Sequence, residues 1–288
     1  MRLGLVTPVL TLNPRAHNRW EEDAGFEEVV AIAQAADRLG WHHLTCSEHV
    51  AVPGAVAPTR GSRYWDPLAT FGYLAAATER VQLATHVLVL GYHHPLEIAK
   101  RYGTLDRISG GRLILGVGVG SLREEFELLG AAFDGRGERG DDAVRALRAS
   151  LSQREPTYHG SHYDYEGFVV DPCAAQDRVP IWIGGRTARS LRRAVELGDA
   201  WVPFGIPLDE QIAMLARAQA TDAWQQRERA LEIVFYAENL DPLGDPAAAR
   251  RAIDERRQAG ADLVNVRMVH RDLSHCLEQL AAIIEMAR

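Results

Sequence analysis

A repeating pattern of hydrophobic and polar positions organises this chain of 288 residues. In the first copy, apolar residues keep helical spacing from Phe26 to Ala36 and stop at Gly40, which predicts a helix closed by a C′ glycine. The apolar run WHHLTCSEH follows and predicts a strand. Three later segments repeat this order of helix, glycine and strand, with the strand sequences RLILGVGVG, DAWVPFG and ADLVNVRMV.

Further apolar runs bring the predicted strands to eight: LGLVTPV, VQLATHVLVL, PIWIGG and LEIVFYAE. Strands that alternate with helices form parallel sheet through right-handed crossovers, and eight such units close a barrel. We therefore predict an α/β fold, a (β/α)8 TIM barrel. An open doubly wound sheet is the alternative architecture for the same alternation.

The segment before the fifth strand departs from this pattern. Residues 153–179 include TYHGSHYDYEGFVVDP, which shows no helical period and predicts a hairpin-like insertion. No linker rich in Ser, Gly or Pro and no low-complexity tract divides the sequence. We expect residues 1–288 to form a single barrel domain.

Composition narrows the classes of partner and compartment. The chain has 32 basic and 39 acidic residues, a net charge of −7, and its basic residues are interspersed, so no nucleic-acid partner is expected. The three cysteines are far apart and form no CxxC pair, which favours a reducing, cytoplasmic setting. No run of 18 apolar residues occurs, so no membrane span is expected.

Functional side chains follow the apolar runs, and in a TIM barrel the active site lies at these C-terminal strand ends. Glu48 and His49 end the second strand, and adjacent side chains there project to opposite faces. Histidine titrates near neutral pH and suits proton transfer, which makes His49 a candidate general acid or base. A structural histidine is the alternative.

The fourth strand ends in the glycine-rich run GVGVG, which includes Gly118 and Gly120. The run fails the GxGxxG pattern of dinucleotide-binding folds, because Ser121 and Arg123 occupy the positions where the last glycine is needed. Ser121 and Glu124 have the spacing of a capping box for the next helix. The glycines allow a ligand to approach the backbone closely, although a plain tight turn is the alternative.

The fifth strand ends in Gly184 and Gly185 and leads directly into a predicted helix. Cations in the first turns of a helix oppose its dipole, so an anion such as a phosphate is expected to compensate them, unless they form a solvated basic face. The arginines of these turns are Arg186, Arg189, Arg192 and Arg193.

Two other classes of chemistry lack their sequence signals. The paired histidines have no third ligand at metal spacing, and no HExxH motif occurs, so no metal site is expected. No GxSxG elbow and no cysteine in a catalytic motif supports a covalent hydrolase.

Several segments together resemble the bacterial luciferase-like superfamily, and more closely its F420-dependent oxidoreductases. They are WHHLTCSEHV, the stretch from DPLATFGYLAAATERVQLATHVLVLGYHHPLEIAKRYGT to LDRISGGRLILGVGVGSLREEFELLG, RGERGDD, and PIWIGGRTARSLRRAVELGDAWVP, which span residues 41–203 in the family's order.

The resemblance assigns positions to the cofactor. It places the tricyclic ring against the third strand end at Thr85, His86 and Val87, where the family has a non-prolyl cis peptide bond. It also places Glu48 and His49 beside the ring as the candidate catalytic residues. The ribityl chain and phosphate are expected to follow the fourth and fifth strand ends. Their candidate residues are Gly118, Gly120, Ser121, Gly184, Gly185, Arg186 and Thr187.

The resemblance implies an oxidoreductase that transfers hydride between coenzyme F420 and a small organic substrate, and a homodimer. Ser121 stands where the family's sugar-phosphate dehydrogenases carry a catalytic acid, which argues against glucose 6-phosphate as substrate. An FMN-dependent monooxygenase and a non-catalytic flavin-binding relative are the alternatives. The remaining candidates at the mouth form a neutral, aromatic set that suggests an uncharged or weakly polar substrate: His17, Trp20, Trp65, Tyr92 and His93.

Overall fold

Eight parallel strands form a closed barrel in the computed structural model, which describes residues 1–287. The strands are β1 (Arg2–Leu5), β2 (His43–Cys46), β3 (Gln82–Thr85), β4 (Leu113–Gly118), β5 (Ile181–Gly184), β6 (Ala200–Val202), β7 (Glu232–Leu240) and β8 (Leu263–Met268). Each strand pairs with its sequence neighbours, β1 pairs with β8, and the β3–β4 pairing completes the ring. The predicted TIM barrel is confirmed.

Helices connect the strands and cover the outside of the barrel. They are α1 (Phe26–Leu39), α2 (Ala57–Arg60), α3 (Pro67–Ala77), α4 (Pro95–Ser109), α5 (Arg123–Leu128), α6 (Arg136–Ser150), α7 (Ala188–Leu197), α8 (Leu208–Gln219), α9 (Asp222–Gln225), α10 (Pro246–Gln258) and α11 (Leu273–Ala287).

Local signals set several of the helix ends. Gly40 closes α1 in the left-handed conformation, as its position in the sequence predicts. The capping box predicted from Ser121 and Glu124 is wrong, because α5 begins one residue later, with Leu122 as its N-cap and no side-chain cap.

Alternating side chains of the strands separate two apolar layers. The barrel interior contains a small cluster that includes Ile114, Trp182 and Val234, whereas a larger core lies between the strands and the helices. His43 fills the interior opposite Gly4, and its Nε2 lies 2.7 Å from Asn265 Oδ1. This packing closes the interior below the mouth, so a ligand has space at the C-terminal strand ends.

The predicted insertion before β5 contains a two-residue antiparallel ladder, Tyr158–His159 with Asp164–Tyr165. Asp142 of α6 anchors it, because its carboxylate accepts hydrogen bonds from the Tyr158 hydroxyl and from the amides of His162 and Tyr163. Within residues 1–287, no helix is long and apolar enough to cross a membrane.

Candidate active site

A cavity of about 1210 Å³ lies at the C-terminal ends of the barrel strands. All of the predicted site residues except Thr85 line it: Glu48, His49, His86, Val87, Gly118, Gly120, Ser121, Gly184, Gly185, Arg186 and Thr187. Thr85 is fully buried beneath the cavity, where its hydroxyl donates to the Gly116 carbonyl at 2.7 Å. The fold thus brings the ends of β2, β3, β4 and β5 together around one space.

Val87 connects three of these strand ends. The His86–Val87 peptide bond is cis, as the resemblance implies. A Cβ built on Gly118 would lie 2.8 Å from Val87 Cγ2, and one built on Gly184 would lie 2.6 Å from Val87 Cγ1. Glycine is therefore needed at both positions to seat the Val87 side chain, a packing reason that the sequence pattern did not reveal.

Glu48 is buried, and both of its carboxylate oxygens accept hydrogen bonds from the segment that follows the cis peptide bond. Its Oε2 accepts from the Val89 amide at 2.6 Å, and its Oε1 lies 2.7 Å from His93 Nε2. Burial lowers the pKa of His93, but the hydrogen bond to Glu48 and the charges of Glu48 and Glu97 together outweigh burial and raise this pKa above its ordinary value. Glu48 thus fixes the backbone beside the predicted ring platform.

His49 presents a free ring nitrogen to the cavity. Its Nδ1 lies 2.7 Å from Glu125 Oε2, whereas its Nε2 has no hydrogen-bond partner among residues 1–287. A carboxylate partner holds the proton on Nδ1, so Nε2 is the atom that can accept or donate a proton in the cavity. The T-shaped contact with the Tyr64 ring, with centroids 4.5 Å apart, fixes the imidazole from the other side.

Glu125, which orients His49, was missed by the sequence analysis. It is 1% exposed, and it also accepts from the Tyr92 hydroxyl at 2.7 Å and the Val50 amide at 2.6 Å. Burial raises the pKa of Glu125, but hydrogen bonds from His49, Tyr92 and Ala51 outweigh burial and hold it below its ordinary value. The sequence feature that could have revealed Glu125 is its position on the same helical face as the apolar residues Leu122, Phe126 and Leu129.

Arginines surround the rim of the cavity between β4 and β5. Arg60 donates to the Ser121 hydroxyl at 3.2 Å, and Arg136 donates to the Gly120 carbonyl at 3.1 Å. Arg186 lines the cavity just before α7, whose N-cap is Thr187. None of these three arginines has a carboxylate within 4.0 Å in the described part of the chain, so their charge is available to an anion.

The other arginines of α7 differ from the sequence expectation. Arg193 is 4% exposed, and its guanidinium is bonded to the Asp141 carboxylate and to the Gly137 carbonyl. Arg192 lies outside the cavity and is exposed. Arg189 lines the cavity but lies 3.8 Å from both Glu138 and Asp141. Arg193 also lines the cavity, although its charge is already paired with Asp141. The expectation that all four arginines face a phosphate is therefore wrong for Arg192.

The expected neutral substrate side is also mostly wrong. Tyr92 lines the cavity, but His17, Trp20 and Trp65 do not, and His93 lies behind Glu48. The Trp20 indole donates to His270 Nδ1 at 2.7 Å, and Trp65 stacks on Phe26, so both tryptophans are structural. The cavity wall at β7, β8 and the loop after β1 instead carries charged groups: Arg15, Glu238, Arg256 and Arg267.

The expectation about metal ligands concerns the paired histidines. His42 Nδ1 lies 2.9 Å from His43 Nδ1, and His159 contacts Asp164 on the surface. Residues 1–287 contain no group of three or more His, Cys, Asp or Glu arranged to hold a metal ion.

This chain is similar in sequence to bacterial proteins and in fold to several solved structures. An uncharacterized protein of Mycobacterium tuberculosis is 29% identical over 206 residues, which cover 67% of this chain and 71% of that protein. The monooxygenase RslO1 from Streptomyces bottropensis has a TM-score of 0.76 and 22% identity over 99% of this chain and 98% of its own. An F420-dependent secondary alcohol dehydrogenase, solved with an F420–acetone adduct, has a TM-score of 0.74 and 14% identity over 100% and 99% of the two chains.

At these identities the solved structures show a shared fold. The sequence profile of the family described as luciferase-like monooxygenase matches residues 1–259, which is most of the chain. The glycine-rich strand ends and the histidine at the second strand end thus lie in the barrel that the match covers. The chain belongs to the luciferase-like monooxygenase family.

Proposed function

We propose that this protein is an F420-dependent oxidoreductase that acts on a small organic substrate. When bound, F420 supplies or takes up the hydride, and the protein contributes binding, orientation and proton transfer. The candidate cofactor residues are those of the β3, β4 and β5 ends. FMN has the same kinds of ring, ribityl chain and phosphate, so the choice between the two cofactors depends on the charge beyond the phosphate.

The arginine rim is the observation that carries the proposal. Arg60, Arg136 and Arg186 surround the β4 and β5 ends without a carboxylate within 4.0 Å among the described residues, and Arg189 adds a partly compensated charge. This is more positive charge than one phosphate needs. F420 continues beyond its phosphate through lactate into several glutamates, and their carboxylates match such a rim.

The backbone at the rim also fits a phosphate-bearing chain. Gly185 adopts φ +145°, and α7 starts three residues later, so the positive end of the helix dipole lies beside Arg186 and Arg189. Ser121 is exposed at the β4 end and provides a hydroxyl next to Arg60. These groups recognise an anion by charge and by hydrogen bonds.

The His49–Glu125 pair provides the proton that accompanies hydride transfer. In the reduction of a carbonyl, hydride reaches carbon and the oxygen takes a proton, which His49 can donate from Nε2. Glu125 accepts the Nδ1 hydrogen bond and so stabilises the protonated imidazole before transfer. In the reverse direction the same Nε2 accepts the proton.

Titration of the purified protein with F420 and with FMN, followed by quenching of fluorescence, tests the cofactor. We expect F420 to bind more tightly at low salt and the difference to narrow as salt rises, because exposed ion pairs contribute up to about 1 kcal/mol each and are screened. The double substitution Arg186→Gln and Arg189→Gln should reduce the difference between the affinities for F420 and FMN. Arg192→Gln, on the same helix but outside the cavity, is the matched control and should change neither affinity.

Equal or tighter binding of FMN at low salt would instead support the FMN-dependent luciferase-like monooxygenase. Tight stoichiometric F420 binding without oxidation or reduction by any carbonyl or alcohol tested would favour a non-catalytic flavin-binding protein. Reduced F420 consumed at the rate of product formation would support the proposed reaction.

A further inference from the structure

A second set of arginines lines the cavity on the side away from the rim. Arg267 belongs to β8, Arg256 donates to the Tyr236 carbonyl of β7 at 2.8 Å, and Arg15 follows β1. In the closed strand order, β8 lies four strands from β4, and β1 lies four strands from β5. A phosphate at the β4–β5 rim therefore leaves these arginines without a partner from the cofactor tail.

Arg267 has fewer partners than its guanidinium can use. Its Nη1 donates to the Ala16 carbonyl at 3.2 Å, but its buried Nε has no partner within residues 1–287. No carboxylate of the described chain lies within 4.0 Å of it, although it lines the cavity. Arginine has five N–H donors, and a buried donor without an acceptor is costly, so the site favours an external acceptor.

Two acidic residues act on Arg267 from a greater distance. Burial lowers the pKa of Arg267, and the charges of Glu21 and Glu238 oppose this change. The Glu21 carboxylate already accepts from the amides of Val9 at 2.8 Å and Asn18 at 2.9 Å. Glu238 is exposed and lines the cavity. The guanidinium remains charged, and neither carboxylate satisfies its free donors.

We propose that the organic substrate carries a carboxylate, which binds Arg267 on the β8–β1 side of the cavity. This inference rests on the proposed function, because it assigns the opposite rim to the cofactor. A planar carboxylate matches the planar guanidinium and accepts two parallel hydrogen bonds. The substrate class thus differs from the uncharged class that the sequence suggests.

Benzoate and benzamide test the proposal, because they have the same shape and differ in charge. Their affinities are measured by calorimetry at low salt, on the protein alone and on the protein saturated with F420. We expect benzoate to bind about tenfold more tightly than benzamide, and Arg267→Gln to abolish that preference. Glu238→Gln should tighten benzoate binding a few-fold, since it removes a like charge. Arg192→Gln is the charge-matched control and should have no effect.

Equal affinities for benzoate and benzamide would overturn the proposal. A preference for benzoate that survives Arg267→Gln would also overturn it, because benzoate would then bind to the rim arginines. If Arg267→Gln does not fold, Arg267→Lys and Glu238→Gln decide the question: the proposal requires weaker benzoate binding in the first and tighter binding in the second. Failure of F420 to bind would refute the cofactor assignment alone, because the benzoate comparison on the protein without cofactor does not depend on it.

Discussion

At the scale of single residues, the adjacent residues Glu48 and His49 differ in what their side chains can do at the mouth of the barrel. Glu48 uses both carboxylate oxygens to hold Val89 and His93, which leaves it with a positioning role. His49 has one ring nitrogen held by Glu125 and the other free toward the cavity. We therefore propose that His49 transfers the proton and that Glu125 orients its ring.

Replacement of His49 tests the proton-transfer role. We expect His49→Ala to lower kcat by about a hundredfold or more, the span typical for loss of general acid–base help. The affinity for F420 should stay within about tenfold, because His49 is not part of the arginine rim. Steady-state kinetics and fluorescence titration measure the two effects. An unchanged kcat would exclude His49 as the proton carrier.

Glu125→Gln tests the positioning role separately. An amide accepts a weaker hydrogen bond from Nδ1–H and no longer stabilises the imidazolium, so the pH profile of kcat should move toward acid. Its neighbour Glu124 is exposed, so Glu124→Gln is the matched control. A merely structural Glu125 would lower the thermal stability without moving the pH profile.

At the scale of elements, the ends of β3, β4 and β5 fit together through one side chain. Val87 occupies the spaces that the missing Cβ atoms of Gly118 and Gly184 leave open. Thr85 adds a hydrogen bond from the end of β3 to the Gly116 carbonyl in β4. The proposed cofactor platform is thus a set of strand ends packed on one side chain, and its shape depends on both glycines.

Gly184→Ala tests this joint. The new methyl group would lie 2.6 Å from Val87 Cγ1, and overpacking of this kind typically costs about 1–3 kcal/mol in the free energy of unfolding. Combination with Val87→Ala should cost less than the sum of the two single changes, which urea unfolding of the four proteins measures as a coupling energy. Gly72→Ala in α3 is the control, because no atom lies within 4 Å of its added Cβ. Additive costs would show that Val87 does not set the spacing.

At the scale of the whole molecule, charge is unevenly distributed. The chain has a net charge of −7, yet its cavity is lined by arginines on two opposite sides. His42 and His86 are half-buried without a carboxylate partner within 4.0 Å in the described residues, and burial lowers the pKa of each to about 4. Burial also lowers the pKa of His270 to about 4, although the Glu21 charge opposes it.

These histidines predict how stability depends on pH. A histidine whose folded pKa lies below its ordinary value of 6.5 binds fewer protons in the folded protein than in the unfolded chain. Its contribution is therefore complete above about pH 6.5 and is lost as pH falls toward about 4. Between pH 6.5 and 5 we expect the free energy of unfolding to fall by roughly 1 kcal/mol per pH unit for each such histidine.

Urea unfolding at several pH values measures how the free energy of unfolding changes with pH. His42→Gln removes one such histidine and should reduce this slope by roughly 1 kcal/mol per pH unit. His159→Gln is a suitable control, since His159 is exposed on the insertion. A free energy of unfolding that does not change between pH 6.5 and 5 would contradict the prediction.

The architecture and the location of the candidate site follow from local patterns along the chain. Helical and strand periods are local properties of the chain, and eight repeats of the same crossover close a barrel whose C-terminal strand ends must meet. For this reason the sequence predicts that one cavity is surrounded by the glycine-rich ends of β4 and β5, the β3 end and the Glu48–His49 pair. The family resemblance then assigned the strand ends to a cofactor.

Which side chains contact one another depends instead on how the elements pack in three dimensions. Glu125 binds His49, 76 positions away in the sequence, and Asp141 pairs with the charge of Arg193, 52 positions away. Trp20 leaves the mouth because His270, 250 positions distant, accepts its indole hydrogen bond, whereas Arg267 keeps a buried donor without a partner in the described chain. Periodicity indicates the face on which a side chain lies, but its partner depends on distances between elements that no local pattern encodes.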